Sequence, residues 1–102
     1  MDPQELIAAA LPPPETSVQV LDAGGGGAAV DSAVSALEQI GYNVVNVTSS
    51  TRKVDRTTVY FTADDKPQAD GLQARDPRFQ VVEANRGLNE GVNLHVLVGP
   101  GF

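Results

Sequence analysis

A run of four glycines is the stretch of this sequence that most strongly suggests ligand chemistry. An alternating strand pattern ends at Asp22, and residues 24–27 lead directly into an apolar helix pattern. A glycine turn between a strand and a helix can hold a phosphate against the N–H groups that open the helix. The first question is therefore whether the chain binds a nucleotide or another phosphate compound.

Two nucleotide-binding fingerprints use such a turn, and this sequence matches neither. A dinucleotide fingerprint has glycine at the first turn position and a carboxylate about 20 residues later. Here Asp22 stands at the first position, and residues 48–51 contain no carboxylate. A P-loop places Lys-Ser or Lys-Thr after its glycines, and that pair is missing. We interpret the turn as structural and keep a small phosphate- or nucleotide-binding domain as the alternative.

The turn also has an internal hydrogen-bond acceptor. We expect the Asp22 carboxylate to accept hydrogen bonds from the turn amides and so to organise the loop. Together with Gly24, Gly25, Gly26 and Gly27, Asp22 forms a candidate recognition loop.

Arg52, Lys53 and Arg56 form a local basic cluster in a polar connection of an otherwise acidic chain. Such a cluster can contact an anionic polymer or a partner domain. The alternative is a solvated loop without a binding role. We carry these three residues forward as candidate anion or partner contacts.

Other titratable residues have simpler interpretations. His95, the only histidine, lies in an alternating strand pattern, where we expect it on one sheet face with a hydrogen-bond partner. Asp64 and Asp65 lie where the N-cap of a second helix is expected, although paired carboxylates can also bind a cation or transfer protons. We assign no catalytic, cofactor or metal residue and predict that the chain is not an enzyme.

Composition narrows the function classes. The 102 residues suit one small domain. The net charge of −6 opposes binding to a nucleic-acid backbone. The chain has no cysteine, which excludes disulfides, thiolate catalysis and cysteine zinc sites. No apolar stretch is long enough to predict a membrane span.

The spacing of the apolar residues and the positions of the turn residues predict an alternation of strands and helices. Apolar residues at helical spacing precede Gly41, an expected left-handed helix stop. Runs of β-branched residues predict the strands. The predicted strands are 17–21, 42–47, 57–62, 79–84 and 92–98, the predicted helices are 28–40 and 66–74, and 85–91 is a predicted loop. The order βαββαββ indicates a two-layer α/β sandwich, a ferredoxin-like variant with a mixed sheet of four or five strands and two helices on one face.

The two ends of the chain lie outside this alternation of strands and helices. Three prolines at positions 12–14 favour an extended polyproline segment, so we interpret residues 1–16 as a linker or tether. Residues 17–99 form the predicted domain, and 100–102 form a short tail.

The segment from Val18 to Val45 resembles the LytR C-terminal domain family. The family pattern V-x-V-L-N-G-[ST]-G stands here as Val18-Gln19-Val20-Leu21-Asp22-Ala23-Gly24-Gly25, followed by Ala28-Ala29, Leu37 and Gly41-Tyr42-Asn43-Val44. A closing V-x-L-x-V-L-V-G at residues 92–99 matches as well. Asp22 replaces the usual asparagine, and Ala28 replaces a usual glycine.

The resemblance implies an extracytoplasmic cell-envelope domain with no activity of its own. It implies cell-wall glycan or an envelope protein as the partner, no cofactor, and a membrane anchor elsewhere in the full-length protein. Self-association through the helix-free face of the sheet is a further possibility.

Overall fold

Strands and helices alternate in two layers in the computed structural model, which describes residues 3–61, 64–84 and 91–102. The predicted order βαββαββ is confirmed, with one additional helix in front of it. Thr62 of the predicted third strand and residues 85–90 of the predicted loop lie outside the described residues. The elements are α1 (Pro3–Ala9), β1 (Ser17–Asp22), α2 (Gly27–Ile40), β2 (Asn43–Ser49), β3 (Thr58–Phe61), α3 (Lys66–Arg75), β4 (Val81–Ala84) and β5 (Leu94–Val98).

The five strands form one mixed sheet in the order β2-β1-β5-β3-β4. β1 is parallel to both β2 and β5, β3 is parallel to β4, and β3 is antiparallel to β5. Each β-α-β unit therefore keeps its two strands side by side, and β5 lies between the two units. The predicted fold class is confirmed. Its variant differs from a ferredoxin-like sheet because there the β-α-β units are split by an inserted strand.

Helices α2 and α3 cover one face of this sheet and enclose the main core. The stripe predicted for α2 is confirmed, since Ala29, Val30, Ala33 and Leu37 are buried. The core also contains the alternate strand residues that face the helices, such as Val18 and Val96, and it includes Leu72 of α3 and the fully buried Phe79.

The end of α2 matches the expected stop signal. Gly41 adopts the left-handed conformation with φ of 112°, and its N–H donates to the Leu37 carbonyl at 3.1 Å. The next residue, Tyr42, is buried, and its hydroxyl accepts a hydrogen bond from Arg75 Nη1 at 2.8 Å. Burial raises the pKa of the Tyr42 phenol, with Arg75 opposing the rise. The Gly-Tyr pair thus joins the end of α2 to the end of α3.

The sheet face without α2 and α3 carries a second, smaller cluster. Ala23, Tyr60 and Leu97 are buried there, with Leu21 and Val54 packed against them. Val54 belongs to the connection between β2 and β3, which must pass from one edge strand across β1 and β5 to reach β3. This connection covers one end of the open face.

The N-terminal segment packs on the domain. Gly71 of α3 is so close to the start of the chain that a Cβ at this position would lie 2.7 Å from the Ala10 Cβ. The Leu11 amide donates to Gln68 Oε1 at 3.0 Å. The close approach requires the small residue in the middle of α3, where glycine otherwise weakens a helix.

The proline run is not extended as predicted. Pro13–Glu15 form a 3-10 turn, with the Glu15 amide donating to the Pro12 carbonyl at 2.9 Å. The turn brings the chain back to the sheet, and Thr16 is fully buried before β1 begins. The division of the chain at residue 17 into tether and domain stays a prediction.

Candidate functional site

The glycine turn after β1 is organised by Asp22. Its Oδ1 atom accepts hydrogen bonds from the amides of Gly24 and Gly26, each at 3.1 Å. These two bonds hold the pKa of the Asp22 carboxyl below its ordinary value. Desolvation opposes them, and the positive charge of Lys53 adds a weaker lowering. The predicted role of Asp22 as acceptor for the turn amides is confirmed.

The turn is also fixed to the end of β5. The amides of Ala23 and Gly25 both donate to the Val98 carbonyl, at 3.0 and 3.2 Å. A Cβ on Gly25 would lie 2.5 Å from the Gly99 carbonyl oxygen, a distance that real Cβ atoms essentially never show. Glycine at position 25 is therefore required by packing between two backbones.

This geometry bears on the phosphate hypothesis. A phosphate at the turn would need the amides that point into it, and two of these already donate to a carboxylate of this chain. A bound anion would have to displace Asp22 and then lie beside its negative charge. The turn is therefore poorly suited to phosphate, although its outer surface remains exposed at Gly24, Gly26 and Gly27.

The connection between β2 and β3 lies directly against this turn. The Ser50 amide donates to the Asp22 carbonyl at 2.9 Å, and the Val54 amide donates to the Ala23 carbonyl at 3.0 Å. The Lys53 side chain packs beside Gly24, with its Cδ 3.8 Å from the place of a Cβ on that glycine. Residues 22–27 and 50–56 therefore form one continuous region, which we call the loop surface.

The basic residues predicted as contacts all lie on the loop surface. All three are exposed to solvent: Arg52, Lys53 and Arg56. Arg52 is held in place, because its Nη1 donates to the Tyr60 hydroxyl at 3.2 Å and its guanidinium lies 5.6 Å from the centre of that ring. The structure thus brings together two sets of candidate residues that the sequence keeps apart.

Asp65, one of the two paired carboxylates, has a structural role that differs from simple capping. Asp65 is at the N-cap of α3, as expected, but its side chain makes no capping hydrogen bond. Its Oδ1 instead accepts from Gln68 Nε2 at 3.0 Å and from Asn93 Nδ2 at 2.9 Å. Asn93 Oδ1 in turn accepts from the Ser17 amide at 2.9 Å. This network ties α3 to the starts of β1 and β5, and Asp64 is exposed beside it.

His95 is where its alternation predicts. It is buried on the face opposite the main core, and its Nδ1 lies 3.0 Å from Gln19 Oε1. The expected hydrogen-bond partner is confirmed. Within the described residues, no group of three or more His, Cys, Asp or Glu side chains is arranged to hold a metal ion.

Sequence reasoning missed a polar groove of about 340 Å³ on the helical layer. Its walls are the outer side of α2, including Asp31 and Ser35, and Arg78 from the segment after α3. Arg78 is paired with Asp76 through two hydrogen bonds of its Nε and one of its Nη2, and it lies over the Phe102 ring at 4.9 Å. The Asp76-Pro77-Arg78 spacing is the signal that could have indicated this fixed guanidinium.

Comparison with known proteins identifies the family of the chain. The family model described as "LytR cell envelope-related transcriptional attenuator" (LytR_C) matches residues 5–102. No curated protein matches the sequence. In the described part of the chain, no helix has the length and apolar character needed to cross a membrane.

Two solved structures have similar folds. One is the soluble domain of a conserved hypothetical secreted protein from Mycobacterium marinum, with a TM-score of 0.63 and 18% identity, covering 100% of this chain and 71% of that chain. The other is the C-terminal domain of RV0431, with a TM-score of 0.56 and 24% identity, covering 84% of this chain and 73% of that chain. At these identities the similarity concerns the fold alone.

Proposed function

The chain belongs to the LytR_C family of cell-envelope domains, and we propose that it is a non-enzymatic, extracytoplasmic module that binds anionic cell-wall glycan. The proposed contact region is the basic segment of the loop surface, residues 50–56. An envelope protein is the other partner class that the family suggests.

One observation carries the choice of partner and place. The chain has a net charge of −6 and only seven Lys and Arg residues, yet three of these are exposed within residues 50–56, where Asp55 is the single carboxylate. Clustered cations on an acidic protein attract an anionic polymer locally, while the remaining surface repels it. Arg52 is already ordered by Tyr60, so binding to it costs less side-chain entropy than binding to a freely moving arginine.

A binding role without catalysis is supported by how the acid–base candidates are used. Asp22 holds the glycine turn, Asp65 holds the network with Asn93, and buried His95 is paired with Gln19. Each group is committed to a structural contact, whereas a general acid or base must have access to a reacting group.

Location outside the cytoplasm is supported by the family and by the secreted protein among the similar folds. In the proposal, the full-length protein is membrane-anchored. The location is tested by fractionation of cells that express the full-length protein with an epitope label. Recovery in the cytoplasmic fraction would contradict the proposal.

The binding proposal is tested by sedimentation of the purified chain with insoluble cell wall. Lys53→Gln should weaken binding, and added salt should weaken it further because the contact is electrostatic. Lys66→Gln is the matched control, since Lys66 is also an exposed lysine but lies in an i,i+4 pair with Asp70 away from the loop surface. Equal effects of the two substitutions would contradict the assigned region.

Two further measurements separate the alternatives. Capture of envelope proteins by the wild-type chain, without binding to purified glycan, would support the envelope-protein alternative and contradict glycan binding. Titration with NAD, ATP and inorganic phosphate should leave the amide shifts of residues 24–27 unchanged, because Asp22 already occupies the turn donors. Saturable shifts there would support the phosphate-binding alternative.

A further inference from the structure

β2 forms one edge of the sheet and is its longest strand, with seven residues. Six of the seven are exposed, and only Val44 is partly covered. Val45 and Val47 are 50% and 48% exposed, which makes them two of the three exposed large apolar residues in the described part of the chain. In the described ranges, no strand pairs with the outer edge of β2.

This edge lacks the features that usually prevent strands from pairing between molecules. Exposed edges are normally short, carry charges or proline, or are covered by other segments. Asn43–Ser49 contains no charged residue and no proline. The opposite edge, β4, has only four residues and includes exposed Glu83. One protective feature is present, because the register against β1 skips Val45 and leaves an irregularity inside β2.

The residue pattern of β2 is complementary to itself. A second copy can pair antiparallel about a two-fold axis, which gives a closed dimer. With the axis at Asn46, Asn46 faces its own copy, Val45 faces Val47, and Val44 faces Thr48. Asn46 and the two valines are then opposite residues of their own type, while Thr48 is opposite Val44, which has a similar shape. Directly opposed β-branched residues stabilise such pairing, and no pair brings like charges together.

We propose that β2 pairs with β2 of a second copy of this chain and joins the two five-stranded sheets edge to edge. The strand is about 23 Å long at 3.3 Å per residue. A single strand pair of this length buries less than the about 1,200 Å² typical of stable interfaces. The dimer is therefore weak, and its population depends on protein concentration.

The charge of the chain adds a specific signature to this self-association. Each copy carries a net charge of −6, so two copies repel one another at low ionic strength. The paired edge itself is uncharged. Salt should therefore strengthen the dimer, whereas it should weaken glycan binding by the loop surface. The two proposals are independent and fail under different conditions.

Sedimentation velocity over a concentration series, at about 0.02 M and about 0.3 M salt, measures the proposed equilibrium. The average mass should rise with concentration, and more steeply at the higher salt. Asn46→Lys places like charges on the two-fold axis and should keep the chain monomeric. Gln80→Lys is the matched control, because it makes the same charge change at an exposed residue before β4.

A covalent test uses the absence of cysteine from the chain. Residues opposed across antiparallel strands have Cα atoms about 4.5–5.5 Å apart, which is within disulfide range. Under mild oxidation, Asn46→Cys should form a disulfide-linked dimer at least about tenfold faster than Gln80→Cys. Equal cross-linking rates would overturn the proposal. So would a monomeric wild-type chain at every concentration and salt level, or equal behaviour of the two lysine variants, with folding of each variant checked by amide spectra.

Discussion

Gly25→Ala should destabilise the protein although the change adds a single methyl group. The new Cβ would lie 2.5 Å from the Gly99 carbonyl oxygen and 3.0 Å from the Ala29 Cβ. The first neighbour is backbone at the end of β5, so it cannot move aside as a flexible side chain can. Overpacking in a filled site typically costs about 1–3 kcal/mol, and we expect a loss in this range.

Gly27→Ala is the matched control for this substitution. Gly27 is the first residue of α2, and a Cβ there would meet nothing within 4 Å. Neither Gly25 nor Gly27 has a positive φ, so the two substitutions differ mainly in the contact that the methyl group makes. Alanine at an unstrained glycine position stabilises by about 0.4–1 kcal/mol. The two variants should therefore change stability in opposite directions.

Thermal and urea unfolding, followed by circular dichroism, measure both variants. A loss of 1 kcal/mol lowers Tm by about 4–8 °C in a domain of this size, so Gly25→Ala should unfold at least about 4 °C below the wild type. Gly27→Ala should unfold at or above the wild-type temperature. Equal stability of the Gly25→Ala variant and the wild type would refute the tight contact between the glycine turn and β5.

The remaining predictions concern other parts of the fold. The pKa of Asp22 is lowered in the folded state from its ordinary value of 3.8, so its stabilising contribution is present above that value and is lost as pH falls through the folded pKa. The stability gap between wild type and Asp22→Asn should therefore narrow in urea titrations as pH falls below 3.8. Asn93→Ala removes the acceptor of the Ser17 amide and should cost about 1–3 kcal/mol in urea unfolding, whereas the exposed Asn43→Ala should change stability by less than about 0.5 kcal/mol. Gly71→Ala should give less than the about 1 kcal/mol gain normal for a helix interior and should speed hydrogen exchange in α1. A full gain with unchanged exchange would show that α1 does not dock on α3.

Local patterns predicted the elements well because they depend on neighbours in the chain. The apolar stripe of α2 and its stop at Gly41 follow from helical period and from the left-handed conformation that glycine tolerates. The hydrogen bonds of Asp22 also span only four residues, so its acceptor role could be predicted without knowing the sheet.

Features that depend on distant contacts could not be predicted in this way. The position of β5 between two β-α-β units is set by pairing between strands far apart in the chain. The need for glycine at position 71 is also set by a distant contact, because a Cβ there would lie too close to the Ala10 Cβ. Residue types predicted that Asp65 lies near a helix start. Its hydrogen-bond partner Asn93, which directly precedes β5, is 28 positions away and could not be predicted from neighbouring residues.

The loop surface shows how the two kinds of information combine. The sequence identified the glycine turn and the basic cluster separately, with no local signal that connects them. The β2–β3 connection brings them together because it must cross β1 and β5, and its amides at Ser50 and Val54 bind to the turn. The residues of the candidate site could thus be predicted from the sequence, whereas their proximity depends on the path of the chain across the sheet.

Amide chemical shifts of the folded chain, titrated with soluble anionic cell-wall glycan, test the proposed function most directly. The proposal predicts saturable shifts concentrated in residues 50–56, which are reduced by Lys53→Gln and reversed by added salt. Shifts confined to the outer side of α2 would contradict it. So would an absence of shifts over the whole glycan titration.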